Sequence, residues 1–289
     1  MPRDIQPATS SGPTPAAAVR HQRAHGTLDL GFVATSRGTA LGSLHQSAPL
    51  RALFPRPEPG EPPMAAIVNV AGGIAGGDTL EIAVRAGPGA CATISSAAAE
   101  KVYRALDESA RITLRLAAGH GAILEWLPQE TILFDRARLV RRLAAEVAPE
   151  ARLLLADMLV LGRAAHGEVL AAGALLDAWR IRRDGRLLWA DGLRLEGDMA
   201  ALRHRFGFAG AGAVATLALV APEAERHLPA LRETLAGAPG GATVPRPGLL
   251  LARFLGPAAP VRRALGAAII LLRAAALGLP SRLPRLWTA

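Results

Sequence analysis

Apolar and polar residues alternate along much of this chain with a period of two. Between Thr79 and Arg85, Leu80, Ile82 and Val84 fall on one face, with Thr79, Glu81 and Arg85 on the other. Arg111 to Leu116 repeats the pattern, setting Ile112, Leu114 and Leu116 against Arg111, Thr113 and Arg115. Such alternation predicts half-buried strands of antiparallel sheets. Gly119-His120-Gly121 breaks the chain before a short run from Ala122 to Leu127. Arg183-Asp184-Gly185-Arg186 separates runs that end at Ile181 and begin at Leu187. Asp-Gly suits the positive φ values of a two-residue turn, so a hairpin is predicted there.

Two segments carry helical spacing. Pro222 to Leu235 opens with a proline, places Glu223 and Glu225 early and stops at Gly237, with Pro229 expected to shorten or kink it. From Pro260, the residues Val261, Leu265, Ala268, Ile269, Leu272 and Ala276 recur on one face, and Gly278 is a natural stop. Leu139 to Val147 fits either period. The pattern as a whole predicts a mainly-β domain over residues 21–289 with about two helices, mostly toward the C-terminus. Residues 1–20, rich in Pro, Ser, Thr and Ala, are predicted to be disordered, and Pro55 to Pro63 to be a surface loop.

Composition narrows the class. A chain of 289 residues with 51% hydrophobic content can bury a sizeable core. A net charge of +9 first suggests a nucleic-acid partner. However, Lys101 is the only lysine among 33 basic residues, and the arginines are spread along the whole chain. No aromatic RNA-binding cluster, zinc finger or helix-turn-helix accompanies them. An acidic protein partner fits this charge better, because complementary charge speeds encounter and fixes register. Cys91 stands alone, which excludes an internal disulfide and is compatible with a reducing cytosol. The N-terminus has no apolar signal core, and the stretch from Phe206 to Pro222 falls short of a spanning helix. The expectation is a soluble cytoplasmic protein that engages neither membrane nor nucleic acid.

Catalytic motifs are scarce. Gly72-Gly73-Ile74-Ala75-Gly76-Gly77-Asp78 lacks the Lys-Ser/Thr of a phosphate loop and ends in an aspartate before a strand, so it reads as a tight turn. The seven histidines form no metal-ligand spacing; His21 and His25 are four apart but sit at the edge of the N-terminal tail. Residues 125–135 are denser in chemistry: Glu125, Gln129, Glu130 and Asp135 surround Trp126 and Pro128. Glu125 and Glu130 fit the acid and base of a hydrolase, or the solvated charges of a strand–turn–strand.

Leu124-Glu-Trp-Leu-Pro-Gln-Glu-Thr-Ile-Leu-Phe-Asp135 resembles the signature segment of the UreD/UreH urease accessory proteins. Gly72 to Asp78 resembles the family's glycine turn. Ala98, Lys101, Tyr103 and Arg104 resemble its Ala-x-x-Lys-x-Tyr-Arg block, with Glu100 where a threonine is more usual. Leu161-Gly162-Arg163, with Gly167-Glu168, resembles a further block, and Pro284 to Thr288 the family's C-terminus. The resemblance covers roughly residues 25–289. It implies layered, β-helix-like antiparallel or mixed sheets with two helices that help bind a partner. It also implies a non-catalytic scaffold that binds apo-urease, UreF and, through the complex, the GTPase UreG during nickel insertion.

On this reading no cofactor is held tightly and Ni(II) is bound only in transit. Carboxylates, carbonyls and water suit such passage better than thiolates. Asp78, Glu125, Glu130, Asp135 and Glu168 are the acidic residues of the family-like blocks and the candidates for a nickel path. The competing expectation is that Asp78 and Asp135 cap turns, while Glu125 and Glu168 pair with arginines such as Arg163 or Arg104. Tyr103, Arg104, Trp126 and Arg163 are candidates for partner contact within the blocks. Arg262, Arg263 and Arg273 are candidate rim contacts on the C-terminal helix.

Overall fold

The computed structural model describes residues 22–288; the proposed N-terminal extension, residues 1–20, and His21 lie outside it. The chain opens with β1 (His25–Thr35), β2 (Gly38–Gln46), β3 (Leu50–Leu53), β4 (Met64–Asn69), β5 (Thr79–Ala86) and β6 (Cys91–Ser96). It continues through β7 (Glu100–Val102), β8 (Ala110–Ala118), β9 (Ile123–Trp126), β10 (Thr131–Leu133), β11 (Arg138–Val147) and β12 (Arg152–Arg163). Then come β13 (Glu168–Val169), β14 (Ala172–Arg183), β15 (Arg186–Asp198), β16 (Ala213–Val220), α1 (Leu228–Thr234), β17 (Gly240–Arg246), β18 (Leu249–Gly256) and α2 (Ala258–Leu277).

From β4 to β14, leaving aside the short β7, β10 and β13, successive strands alternate between two stacked sheets. One has the order β15-β14-β11-β8-β5-β1-β2, the other β17-β18-β16-β12-β9-β6-β4-β3. The chain thus winds as a flattened coil, mainly β, layered and β-helix-like, with its helices near the C-terminus. A short third face forms where β10 pairs in parallel with both β7 and the far end of β12, and Ile74 bridges to Val102.

Pairing within the coil departs from the antiparallel expectation. β5, which holds Thr79 to Arg85, pairs in parallel with β1 and with β8, which holds Arg111 to Leu116. Alternation records that one face is buried, but it cannot say which strand lies alongside. In a coil the neighbour is the next turn, running the same way. Antiparallel pairs appear at the ends, in β1–β2, β3–β4, β14–β15 and the β12–β16–β18–β17 run. The predicted hairpin is the β14–β15 connection, with Asp184 at φ 52 and Gly185 at φ 70.

Leu139 to Val147 is the strand β11, whose odd-numbered positions face inward. β12 is buried on both faces, which explains its almost unbroken apolar run. Leu153, Leu155 and Leu159 join the core between the sheets, while Leu154, Ala156 and Met158 join a second core beneath the helices. The segment from Pro222 to Leu235 is a 3-10 turn, Ala224–His227, followed by α1, with Pro229 in the first turn of α1. α2 covers the outer face of β12, β16 and β18 and ends at Gly278 in the left-handed region. No helix among the described residues is long and apolar enough to cross a membrane.

Candidate functional site

The family-like blocks meet in three places. The first is the joint between residues 124–135 and the C-terminal helix. Leu124 and Trp126 face the space between the sheets, so Glu125 points the opposite way, toward α2. There Arg273 Nε donates to Glu125 Oε1 at 2.8 Å, and its Nη2 pairs with Glu61. Thr93 Oγ1 donates to Glu125 Oε2 at 2.5 Å. Burial raises the Glu125 carboxyl against the pull of Arg273. For Glu61 burial is outweighed by Arg273 and Arg282, which hold it below the usual carboxylate range. Farther along, Arg262 Nη2 donates to Gln129 Oε1 at 2.7 Å and pairs through Nη1 with Glu130, while Trp287 Nε1 donates to Leu127 O at 2.9 Å.

This joint corrects two expectations and bears out a third in kind, with a different arginine. Arg273 is fully buried, with its guanidinium between Glu125 and Glu61 rather than on a rim. Trp126 is buried between the sheets rather than exposed for contact. Glu125 pairs with Arg273, not with Arg104 or Arg163, and Glu130 with Arg262, so the carboxylates named for hydrolysis are both committed to ion pairs. The partner of Glu125 was invisible because it lies 148 residues away, and Pro55 to Pro63, read as a plain loop, supplies Glu61.

The second place is a surface groove on the third face. Lys101, Tyr103, Ile132 and Phe134 line it, with Arg163, His166 and Ala258 on its walls, and its volume is about 600 Å³. Tyr103 meets Phe134 edge-on at 5.2 Å, and the Arg163 guanidinium stacks 4.0 Å over Phe134. Arg163 Nε donates to Glu168 Oε1 at 3.0 Å, which holds Glu168 below the ordinary carboxylate range. Asp135 Oδ1 accepts from the N–H groups of Ala171 and Ala172. The glycine turn buttresses the groove from behind: Tyr103 Oη donates to Gly72 O at 2.8 Å, and a Cβ on Gly73 would sit 2.5 Å from the Tyr103 ring. Asp78 closes that turn by accepting from the N–H groups of Ala75 and Ala24, both at 2.8 Å. Its carboxylate takes up backbone donors that a phosphate would need. Arg104 is exposed nearby, and Arg262 and Arg263 line a second groove that continues from Ala259 along α2.

The third place was missed in the sequence. Arg141 on β11 and Asp177 on β14 lie opposite each other in register, and both face inward. Arg141 Nε and Nη2 donate to the two Asp177 oxygens at 2.9 and 2.8 Å, and Nη1 lies 2.8 Å from Asp157 Oδ2 on the facing sheet. Burial pushes the Asp157 carboxyl up to about 6, against Arg141, and its Oδ1 has no hydrogen-bond partner among the described residues. Two cavities adjoin at this cluster. One, of about 90 Å³, runs among apolar side chains to Glu100, Gln129 and Thr131; the other, of about 30 Å³, leads to Asp191 and Arg253. A usable signal existed: Arg141 and Asp177 each interrupt an inward row of apolar residues at period two, and Asp157 interrupts a nearly unbroken apolar run.

The five acidic path candidates are therefore dispersed. Asp78 is in the turn, Asp135 and Glu168 are beside the groove, Glu125 is under α2 and Glu130 is at its edge; none lines the compartment between the sheets. Among the described residues, no three His, Cys, Asp or Glu side chains are grouped to hold a metal ion.

The model of the UreD urease accessory protein family matches residues 24–288. The chain belongs to that family. A Granulibacter bethesdensis protein named urease accessory protein UreD is 50% identical over 237 residues, covering 81% of this chain and 99% of that protein. A protein of the same name from a Methylobacterium species is 45% identical over 288 residues, covering 96% of this chain and 99% of its own length. One from Magnetococcus marinus is 42% identical over 276 residues, covering 92% and 94%. Members of the family are urease accessory proteins, and in this chain the carboxylates of the family-like blocks are occupied in caps and ion pairs.

Proposed function

We propose that this chain is a scaffold of urease maturation, which binds apo-urease and, with UreF and the GTPase UreG, supports nickel insertion into the urease active site in the cytoplasm. The observation that carries the reading is family membership across residues 24–288. Nickel enters as cargo. The compartment between the sheets, rather than the dispersed acidic residues of the blocks, is the route the geometry favours. Its carboxylates suit an ion that binds briefly and leaves, and Asp157 Oδ1 is available there. Arg141 keeps the compartment from accumulating negative charge, since an unpaired buried carboxylate is costly.

Co-expression of the chain with and without UreF, followed by pull-down on apo-urease and UreG, tests the scaffold. A stoichiometric complex that yields nickel-loaded urease is expected. A well-folded chain that ignores all three partners would end the proposal. The route is tested separately by Asp157→Asn: the complex should still assemble, while the rate of nickel loading falls on the order of tenfold, as for a lost ligand-shell group. Unchanged loading places the route elsewhere.

A further inference from the structure

Two surface grooves meet at the start of α2. The first is floored by Tyr103, Ile132 and Phe134, and the second by Gly266, Ala267 and Ile270. Their walls carry Lys101, Arg163, His166, Arg262 and Arg263, and among the described residues no carboxylate lines either groove. Arg163 and Arg262 are already paired with Glu168 and Glu130. Lys101 and Arg263 have no ion-pair partner among the described residues; of the 33 basic residues of the chain, Lys101 alone is not an arginine. A lysine there presents a compact, mobile ammonium with three rotatable donors, where an arginine would present a flat fork. α2 adds to the positive field: its first turn holds no acidic residue, and no side chain caps it.

We propose that this double groove receives an extended acidic segment of a partner protein, with apolar side chains over Tyr103 and Phe134 and carboxylates toward Lys101 and Arg263. A long polyanion such as nucleic acid is a poorer fit. Among the described residues that line the grooves, two unpaired cations flank an apolar floor, whereas nucleic-acid affinity depends on many phosphate contacts. The proposal adds the chemistry of one partner segment to the accessory role, and its test needs neither nickel nor urease, so the two readings fail separately.

The test is fluorescence anisotropy of the full chain with labelled peptides of about ten residues. The first alternates Glu with Leu and Phe, the second replaces Glu by Lys, and the third is polyglutamate. The acidic–apolar peptide is expected to bind at least about tenfold more tightly than either, a difference of about 1.4 kcal/mol. Lys101→Glu and Arg263→Glu should each weaken it several-fold. Ala165→Trp, on the exposed groove wall, should block it without altering charge. Thermal melts that match the parent chain show that each variant is folded. Equal affinity for the acidic and basic peptides, or binding untouched by the three variants, would overturn the proposal. So would tighter binding of polyglutamate or of a short single-stranded RNA, which would mark a general polyanion surface.

Discussion

Replacing Arg273 by methionine probes the joint between the coil and its C-terminal helix. In the native chain the guanidinium is fully buried and is shared by Glu125, Glu61 and the carbonyl oxygens of Pro280 and Arg282. Arg273→Met keeps a long apolar stem but leaves Glu125, at 0% exposure, and Glu61, at 7%, without their main counter-charge. Breaking a buried pair from one side costs about 3–5 kcal/mol. At about 2–4 °C per kcal/mol for a large domain, the melting temperature should fall by about 6–20 °C.

The same variant has a pH signature. Burial raises the Glu125 carboxyl even with Arg273 present, and removal of the cation raises it further. A carboxyl whose folded pKa exceeds its unfolded value favours the fold at low pH, and that contribution is lost as pH rises through the folded value. The deficit of Arg273→Met relative to the parent should therefore be largest near pH 8 and shrink toward pH 5. Adding Glu125→Met should recover part of the loss, because the double exchange removes the orphaned charge. Urea denaturation of all four proteins at both pH values measures these terms. A single-variant loss below about 1 kcal/mol, or strict additivity in the double variant, would refute the view that this ion cluster holds the helix down.

Glu100 offers an independent pH test. Burial lifts its carboxyl to about 7, so ionisation opposes folding, and stability should fall by about 3 kcal/mol as pH rises from below 4.5 through 7. Glu100→Gln should flatten that slope in denaturant titrations, and an unchanged slope would place the carboxylate in water. Gly73→Ala should destabilise more than Gly72→Ala in thermal melts, by about 1–3 kcal/mol, because only the former drives a Cβ into the Tyr103 ring; equal losses would mean the ring yields freely. Trp287→Phe removes the donor to Leu127 O and should cost about 1–3 kcal/mol, with Trp287→Ala costing about 3–5 kcal/mol. If the two proved indistinguishable by urea denaturation, the ring would contribute nothing beyond its hydrogen bond.

Much of this fold was readable from alternation alone. β5, β8 and the β14–β15 turn lie where period two and Asp-Gly placed them, and α2 runs past its predicted Pro260 start to its predicted stop. What alternation does not supply is the neighbour, and the parallel pairing of β1, β5, β8, β11 and β14 follows from the coil rather than from the pattern. β12 was missed because burial on both faces erases the period. The site divides similarly. The turn, the Tyr103 block and the Arg163 block are local motifs, and the fold brings them to one groove. The Arg141–Asp157–Asp177 cluster required knowing which strands face each other, and the Arg273–Glu125–Glu61 cluster joins residues separated by 148 and 212 positions. No local window contains either.

That separation also imposes an order in time. β12 has left the ribosome roughly a hundred residues before α2 is complete, a gap of about 5–20 s at ordinary rates of synthesis. During it Leu154, Ala156 and Met158 have no cover, and Glu125 has no arginine. A nascent chain halted before Pro257 would own both sheets but not their lid, and would present a greasy strip with a buried-type acid at its centre. Until α2 is in place, the strip of Leu154, Ala156 and Met158 stays open to whatever apolar surface it meets first.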